Sequence, residues 1–166
     1  MRVSDCELKY QGEFMSNSSL TPSVCIYGAL RRATRGIGQL YDAALCTTGI
    51  NTAQFNLLRT IGKLGTPSQS ELAADMVMDL GALGHTLKPL LRDGWITLER
   101  DPLDGRRRIV SLTEEGQSRL RNAAVLWKRT QRRFDSLVGH ESTQTLLQLL
   151  DHLASEEFGE TFSATA

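Results

Sequence analysis

Asp101-Pro102-Leu103-Asp104-Gly105-Arg106-Arg107-Arg108, continuing as Ile109-Val110-Ser111-Leu112-Thr113, is the stretch that decides the fold. It reads as a β-hairpin with a cationic tip. Trp95-Ile-Thr-Leu-Glu-Arg100 is a short strand rich in β-formers, and Ile109–Leu112 is its return. Pro102 and Asp104-Gly105 are turn signals. Three successive arginines leave the turn, where no core needs them. A guanidinium on a protruding ribbon suits a phosphate or a narrow minor groove. Helical patterns lie directly before and after the hairpin. The expected fold is therefore mainly α with a small β-hairpin, a winged helix-turn-helix, and the ligand class it points to is DNA.

Composition bounds the rest. The chain has 166 residues, 40% hydrophobic and 23% charged, in the range of one globular domain with a full core. Its 19 Lys and Arg balance 19 Asp and Glu, a neutrality that argues mildly against nucleic acid. The charges are segregated, however. Arg100, Arg106, Arg107 and Arg108 crowd the hairpin, whereas Asp151, Glu156, Glu157 and Glu160 mark an acidic tail. Clustering matters more for binding than the sum. No run of 18 apolar residues and no signal-like apolar core occur, so no membrane partner and a cytoplasmic location are expected. Cys6, Cys25 and Cys46 have neither disulfide-framework nor zinc spacing, which suggests reduced thiols.

Working outward, residues 1–20 show no sustained period and read as a flexible arm. Thr21-Pro22 looks like a helix start. Ile26, Leu30, Ala33, Ile37, Leu40 and Ala44 then form one apolar stripe, the first helix (21–48 with its ends). A second helix spans about Thr52 to Leu64, with Phe55, Leu58 and Ile61 inward and Gly65 as its stop. Ser68-Gln-Ser-Glu71 is a capping box opening a third, short helix. Asp79 caps the fourth, in which Leu83, Leu87 and Leu90 face inward, and Gly94 closes it. After Thr113, Glu114 and Glu115 suit a helix N-terminus. Leu120, Ala124, Trp127, Phe134 and Leu137 then mark a fifth helix over 114 to about 138. Gly139 breaks it, and Leu146, Leu149, Leu150 and Leu153 mark a sixth. The expected organisation is an arm (1–20), a dimerisation helix (21–48), the winged helix-turn-helix (49–113) and dimerisation helices 5 and 6 (114–166). The apolar stripes on the first, fifth and sixth helices exceed what a small winged helix can cover. They imply a partner, most simply a second copy.

Over about residues 24–157 the chain resembles the MarR family of bacterial transcriptional regulators, as a single domain of that type. Asp101-Pro-Leu-Asp104-Gly-Arg106, then Leu112-Thr113-Glu-Glu-Gly116, is similar to that family's Asp-x-Arg wing and Leu-Thr-x-x-Gly helix start. Leu72-Ala-Ala-Asp-Met76 and Leu90-Leu-Arg-Asp-Gly94-Trp-Ile96 resemble its helix-turn-helix. The resemblance implies a homodimer on a pseudo-palindromic operator of double-stranded DNA, a repressor released by a small-molecule effector or an oxidant. It also implies that Arg106 enters the minor groove beside Asp104, with Arg107 and Arg108 flanking it. Asp104 could hold the guanidinium by hydrogen bonds. Ser68, at the start of the third helix, is a further DNA-binding candidate. The recognition helix departs from the pattern, reading Leu80-Gly81-Ala82-Leu83-Gly84-His85-Thr86-Leu87-Lys88. Gly81 and Gly84 carry no hydrogen-bonding side chain, which leaves His85, Thr86 and Lys88 to reach bases or phosphates beside Ala82. Direct readout of bases is then weak, and shape readout carries more.

Tyr27, Arg31, Phe55 and Trp127 are effector-binding candidates: in the family such helices line a crevice, and Arg beside aromatics suits an aromatic carboxylate or phenol. Phe55 and Trp127 read equally as core, and Arg31 as a solvated charge. Cys25, expected in the first turns of helix 1 near Arg31 and Arg32, is a redox candidate, because a helix N-terminus favours a thiolate. When Tyr41 is aligned with the family's Tyr, Tyr27 rather than Cys25 falls at the reactive-Cys position, and an inert buried thiol is the plainer reading. Cys46 or Cys6 could resolve a sulfenate there. His85, His140 and His152 share no metal spacing, and no phosphate loop occurs. No enzyme, cofactor or metal is expected. A winged helix that binds protein instead of DNA is the distant alternative.

Overall fold

The computed structural model describes residues 25–164. The arm expected over residues 1–20, and the helix start at Thr21-Pro22, lie outside them. The chain forms two compact units divided between Trp127 and Lys128.

The first unit holds α1 (Ile26–Leu45), a 3-10 turn (Cys46–Thr48), α2 (Thr52–Leu64), α3 (Gln69–Asp75) and α4 (Leu80–Arg92). The strands β1 (Ile96–Arg100) and β2 (Arg108–Leu112) follow, then the first half of α5 (Glu114–Val138). Each short helix starts where a side chain can replace a missing backbone partner. Asn51 accepts from Gln54 N at 2.8 Å while the Gln54 side chain accepts from Asn51 N at 3.0 Å, a full capping box. Ser68 and Glu71 repeat the device at α3, and Asp79 accepts from Ala82 N at 2.8 Å to open α4. One core results, built on Leu45, Phe55, Leu57, Leu58, Ile61, Leu72, Leu83, Leu87, Leu90 and Val110. Leu120, Ala123, Ala124, Leu126 and Trp127 pack on it too. The first half of α5 therefore belongs with the winged helix, which extends beyond the expected boundary at Thr113.

The hairpin is antiparallel, with Ile96 opposite Leu112 and Arg100 opposite Arg108. It begins one residue after Trp95, and its return begins one residue before Ile109. A third chain segment joins its edge: Val110 N donates to Pro67 O at 2.8 Å, and Ser68 bridges Ile109. The wing is thereby tied to the start of α3.

The second unit holds the rest of α5, α6 (His140–Leu153) and α7 (Glu156–Ala164). Gly139, at φ +94°, makes the break between α5 and α6 that a side chain would resist. The sequence reading stopped at α6. The helix α7 is a finding of the structure, started by Ser155, whose hydroxyl accepts from Phe158 N at 3.2 Å. Phe158 meets His152 edge-on and stacks on Phe162. Leu146, Leu147, Leu149, Leu150 and Leu153 remain in contact with solvent. So do Ile26, Leu30, Ile37 and Leu40 on α1, where only Tyr41 and Leu45 are buried. Among the described residues no helix is long and apolar enough to cross a membrane.

Candidate nucleic-acid interface

The wing tip is organised by its two aspartates. Asp101 Oδ1 accepts from Leu103 N at 2.8 Å, and Asp104 Oδ1 accepts from Arg106 N at 3.0 Å. Arg107 N donates to Asp104 O, and Asp101 N to Arg107 O. The loop is a nest of turns in which side chains do what a strand partner would do. This corrects one expectation. Asp104 holds the backbone of Arg106, not its guanidinium, and so fixes where the side chain leaves the chain while leaving its charge available.

The three arginines divide their work. Arg107 Nη2 donates to Glu71 Oε1 at 3.0 Å, so it is turned back onto α3. Glu71 also accepts from Ser68 N and Ser68 Oγ, both at 2.8 Å. These hydrogen bonds, the Ser68 backbone first and then its hydroxyl, together with Arg107, hold the Glu71 carboxyl below its ordinary range. Arg106 and Arg108 are exposed and form no ion pair among the described residues. Arg108 lies directly opposite Arg100 in the hairpin register. Like charges so placed are unfavourable on their own and are relieved by an anion between or above them. Arg100 is thus a functional candidate that the sequence reading counted as charge but did not select; the strand register was the missing information.

Ser68 is buried, 4% exposed, and its hydroxyl is spent on Glu71 as both donor and acceptor. Its expected direct DNA contact gives way to a positioning role at the joint between α3 and the wing. On α4, Gly81, His85 and Lys88 are exposed, spaced by four and three, and Arg92 continues the row. Arg92 is clasped by Asp93 through contacts of 2.8 and 3.3 Å, which raises the Arg92 pKa and lowers that of Asp93. Ala82, Gly84 and Thr86 are half-buried, and Thr86 Oγ1 donates to Ala82 O. Nothing lies within 4 Å of where a Cβ on Gly84 would stand, so packing does not demand glycine there.

The Leu112-Thr113-Glu-Glu-Gly116 stretch is a joint. Thr113 Oγ1 donates to Gly94 O at 2.8 Å and accepts from Gly116 N at 3.0 Å, while Thr113 N donates to Trp95 O at 3.1 Å. A Cβ on Gly116 would overlap the Trp95 carbonyl oxygen. The end of α4, both strands and the start of α5 are locked at this point.

The four effector candidates fall into two pairs. Arg31 Nη1 donates to Tyr27 OH at 2.8 Å on exposed α1, beside a recess of about 310 Å³ lined by Tyr27, Leu30, Arg31, Thr34 and Arg35. Phe55, 2% exposed, meets Trp127 at 5.7 Å between ring centroids, and Arg59 lies over the Trp127 ring at 4.9 Å. Neither Phe55 nor Trp127 lines the α1 recess. Cys25 is not in the first turn of α1 but is its N-cap, with Gly28 N donating to Sγ at 3.5 Å, and it is exposed, not buried. Cys46 is disulfide-bonded. This corrects the expectation of reduced thiols throughout and leaves Cys46 in no position to resolve a sulfenate at Cys25.

The sequence model of the MarR family matches residues 50–107, from the residue before Asn51 to the wing arginines. The HTH-type transcriptional regulator BilQ of Clostridium symbiosum is 31% identical over 105 residues, 63% of this chain and 73% of that protein. Among solved structures, the M. tuberculosis transcriptional regulator MOSR in complex with DNA is 31% identical with a TM-score of 0.67, over 75% of this chain and 92% of that one. The transcriptional repressor CouR, bound to a 23-mer DNA duplex, is 25% identical with a TM-score of 0.72, over 83% of this chain and all of that one.

Proposed function

The chain belongs to the MarR family of winged helix-turn-helix, DNA-binding transcriptional regulators, and from that membership we propose that it is a homodimeric repressor of a pseudo-palindromic operator. The observation that carries this reading is the wing tip. Arg106 is fixed at its backbone by Asp104, is exposed, and spends its charge on nothing among the described residues. A guanidinium so prepared loses little entropy on entering a minor groove and matches the enhanced negative potential there. Arg108 and Arg100 extend the positive edge toward phosphates. The outward row of α4, Gly81, His85 and Lys88, with half-buried Ala82, Gly84 and Thr86 beside it, lies in the major groove in this reading. The exposed apolar faces of α1, α5 and α6 meet a second copy, which presents two recognition helices about one helical turn of DNA apart.

Mobility shift and footprinting on the DNA flanking the gene test this reading. Arg106→Ala should weaken binding by about 1–3 kcal/mol, roughly 5- to 150-fold. The footprint should cover two half-sites. An unchanged affinity for Arg106→Ala, or protection of a single short site, would contradict the reading.

Release by a small aromatic acid or phenol is part of the same proposal. It is supported by the Arg31–Tyr27 pair beside its open recess and by the Phe55–Trp127 pair beneath Arg59. Cys25 favours a second reading, release by oxidant, because its exposed sulfur stands at the N-terminus of α1, open to an oxidant from solvent.

A further inference from the structure

From Lys128 onward, in the second unit, the sequence holds four Lys or Arg, all between Lys128 and Arg133, and six Asp or Glu, all from Asp135 on. Lys128, Arg129, Arg132 and Arg133 follow on α5 at spacings of one, three and one, which puts them within about 140° of one helix face. All four are exposed, and none forms a side-chain hydrogen bond or ion pair among the described residues. Glu156, Glu157 and Glu160 repeat the spacing of one and three on α7, equally exposed and equally unspent. We propose that the cationic face of α5 receives the acidic face of α7 from a second copy, so that two reciprocal clasps of opposite charge join the protomers. The inference rests on the homodimer reading above and adds to it a contact that the apolar stripes do not contain.

Three observations carry it. The first is repulsion. Lys128 with Arg132, and Arg129 with Arg133, are like-charged pairs four residues apart, which destabilise a helix. Asp135, three residues after Arg132, would relieve them, but it meets His140 Nδ1 at 3.3 Å. A helix face so loaded is stabilised by an anion from outside. The second is the posture of α7. Phe158 meets His152 of α6 edge-on and stacks on Phe162, and these two rings lie about opposite the glutamates around the helix. The aromatic side of α7 is thus turned to α6, and the acids are presented away from it. The third is continuity. Leu146, Leu147, Leu149, Leu150 and Leu153 lie between the two charged sets in the chain and are open to solvent. A second copy drawn onto those leucines brings its own cations and acids with it. Two-fold symmetry makes the contact reciprocal: what α7 of one protomer meets on its partner, the partner's α7 meets in return. Phosphate is the other anion at hand, but unspent acids of matching spacing in the same unit are the closer complement.

Charge reversal in the full chain tests the clasp. One variant carries Lys128→Glu, Arg129→Glu and Arg132→Glu; the other carries Glu156→Lys, Glu157→Lys and Glu160→Lys. All six positions are exposed, so helix content by circular dichroism should match the wild type. At low ionic strength each variant alone should dimerise at least about tenfold more weakly in sedimentation, because like charges then face each other between protomers. High salt should remove most of that difference. Mixed in equal amounts, the two variants should form the heterodimer in excess of the statistical share and with wild-type affinity, since each α7 then meets the opposite charge. A contact within one chain gives no such recovery. Variants that dimerise as tightly as the wild type, or show no preference for the heterodimer, would overturn the clasp and leave the dimer standing. A monomeric wild type would remove both. A cation variant that dimerises normally but loses duplex DNA in a mobility shift would overturn the clasp and give the strip to phosphate.

Discussion

Gly116→Ala is a one-carbon change with a large expected effect. The new Cβ would overlap the Trp95 carbonyl oxygen and stand 2.9 Å from the Trp95 carbonyl carbon. Both are backbone atoms, so no side-chain rotation relieves the clash, and the first turn of α5 must move. Overpacking of this kind costs about 1–3 kcal/mol, and the upper end applies where only backbone can yield. Alanine returns at most about 1 kcal/mol of helix propensity. The net is a destabilisation of about 2 kcal/mol, or roughly 4–8 °C in Tm for a chain of this length. The movement also strains the bonds from Thr113 to Gly94 and Trp95. Thermal unfolding followed by circular dichroism measures the shift, with Gly159→Ala as the contrast. Gly159 lies in α7 with nothing within 4 Å of its Cβ position, so alanine there should hold or raise Tm. A Gly116→Ala protein as stable as the wild type would refute the argument that this glycine exists for close approach.

Three further outcomes are expected. Sedimentation at micromolar concentration should give twice the 18.4 kDa chain mass, because the leucines of α6 and the stripe of α1 need a cover; a clean monomer would sink the dimer. Glu71 and Asp93 both have folded pKa values below their ordinary ones, Glu71 chiefly through Ser68 and Asp93 chiefly through Arg92. Their contribution to stability is therefore present above the ordinary carboxylate range and lost as pH falls through the folded values. Urea midpoints measured from neutral pH downward should decline, less steeply in Glu71→Gln, and an identical decline in that variant would remove Glu71 from the account. With ligand release as the preferred reading, peroxide should leave both wild type and Cys25→Ser on DNA. Peroxide release of the wild type, abolished in Cys25→Ser, would transfer the signal to the thiol.

Local chemistry was legible in the sequence wherever its causes lie within a few residues. The Ser68–Glu71 box, the Asp79 cap and the Gly65 and Gly94 stops are each written in a few consecutive letters, and the structure places them there, while the helix expected over about Thr52 to Leu64 is found over those residues with an Asn51–Gln54 capping box that the reading passed over. The hairpin was legible for the same reason. What the sequence withheld depends on distance. The partner of Arg107 is Glu71, 36 positions away, so the sorting of three adjacent arginines into one tether and two available charges could not be read from their adjacency. The opposition of Arg100 and Arg108 needs the register, and the role of Gly116 needs Trp95. The recess that Arg59, Thr60 and Lys63 of α2 form with Asp75, Met76 and Val77 was missed because those α2 residues look like an ordinary polar face until the end of α3 and its turn are laid across them. The helix α7 had a local signal, Ser155 before two glutamates, overlooked because its acidic composition resembled a tail.

The distribution of charge explains how a chain with no net charge can favour DNA. On α4 the outward row offers His85 and Lys88, a glycine at position 81, and an Arg92 already clasped by Asp93. Such a helix has few groups with which to read bases, whereas a groove-inserted arginine reads width and potential. The wing is built to present that arginine: Asp104 fixes its backbone, Arg107 and Glu71 tie the ribbon to α3, and Val110 is bonded to Pro67. Specificity in this reading comes from the narrowness of the minor groove at two points spaced by the dimer more than from the sequence under the recognition helices. Substituting A·T pairs for G·C pairs beneath the wings should then cost more affinity than changing bases opposite Gly81 and Gly84.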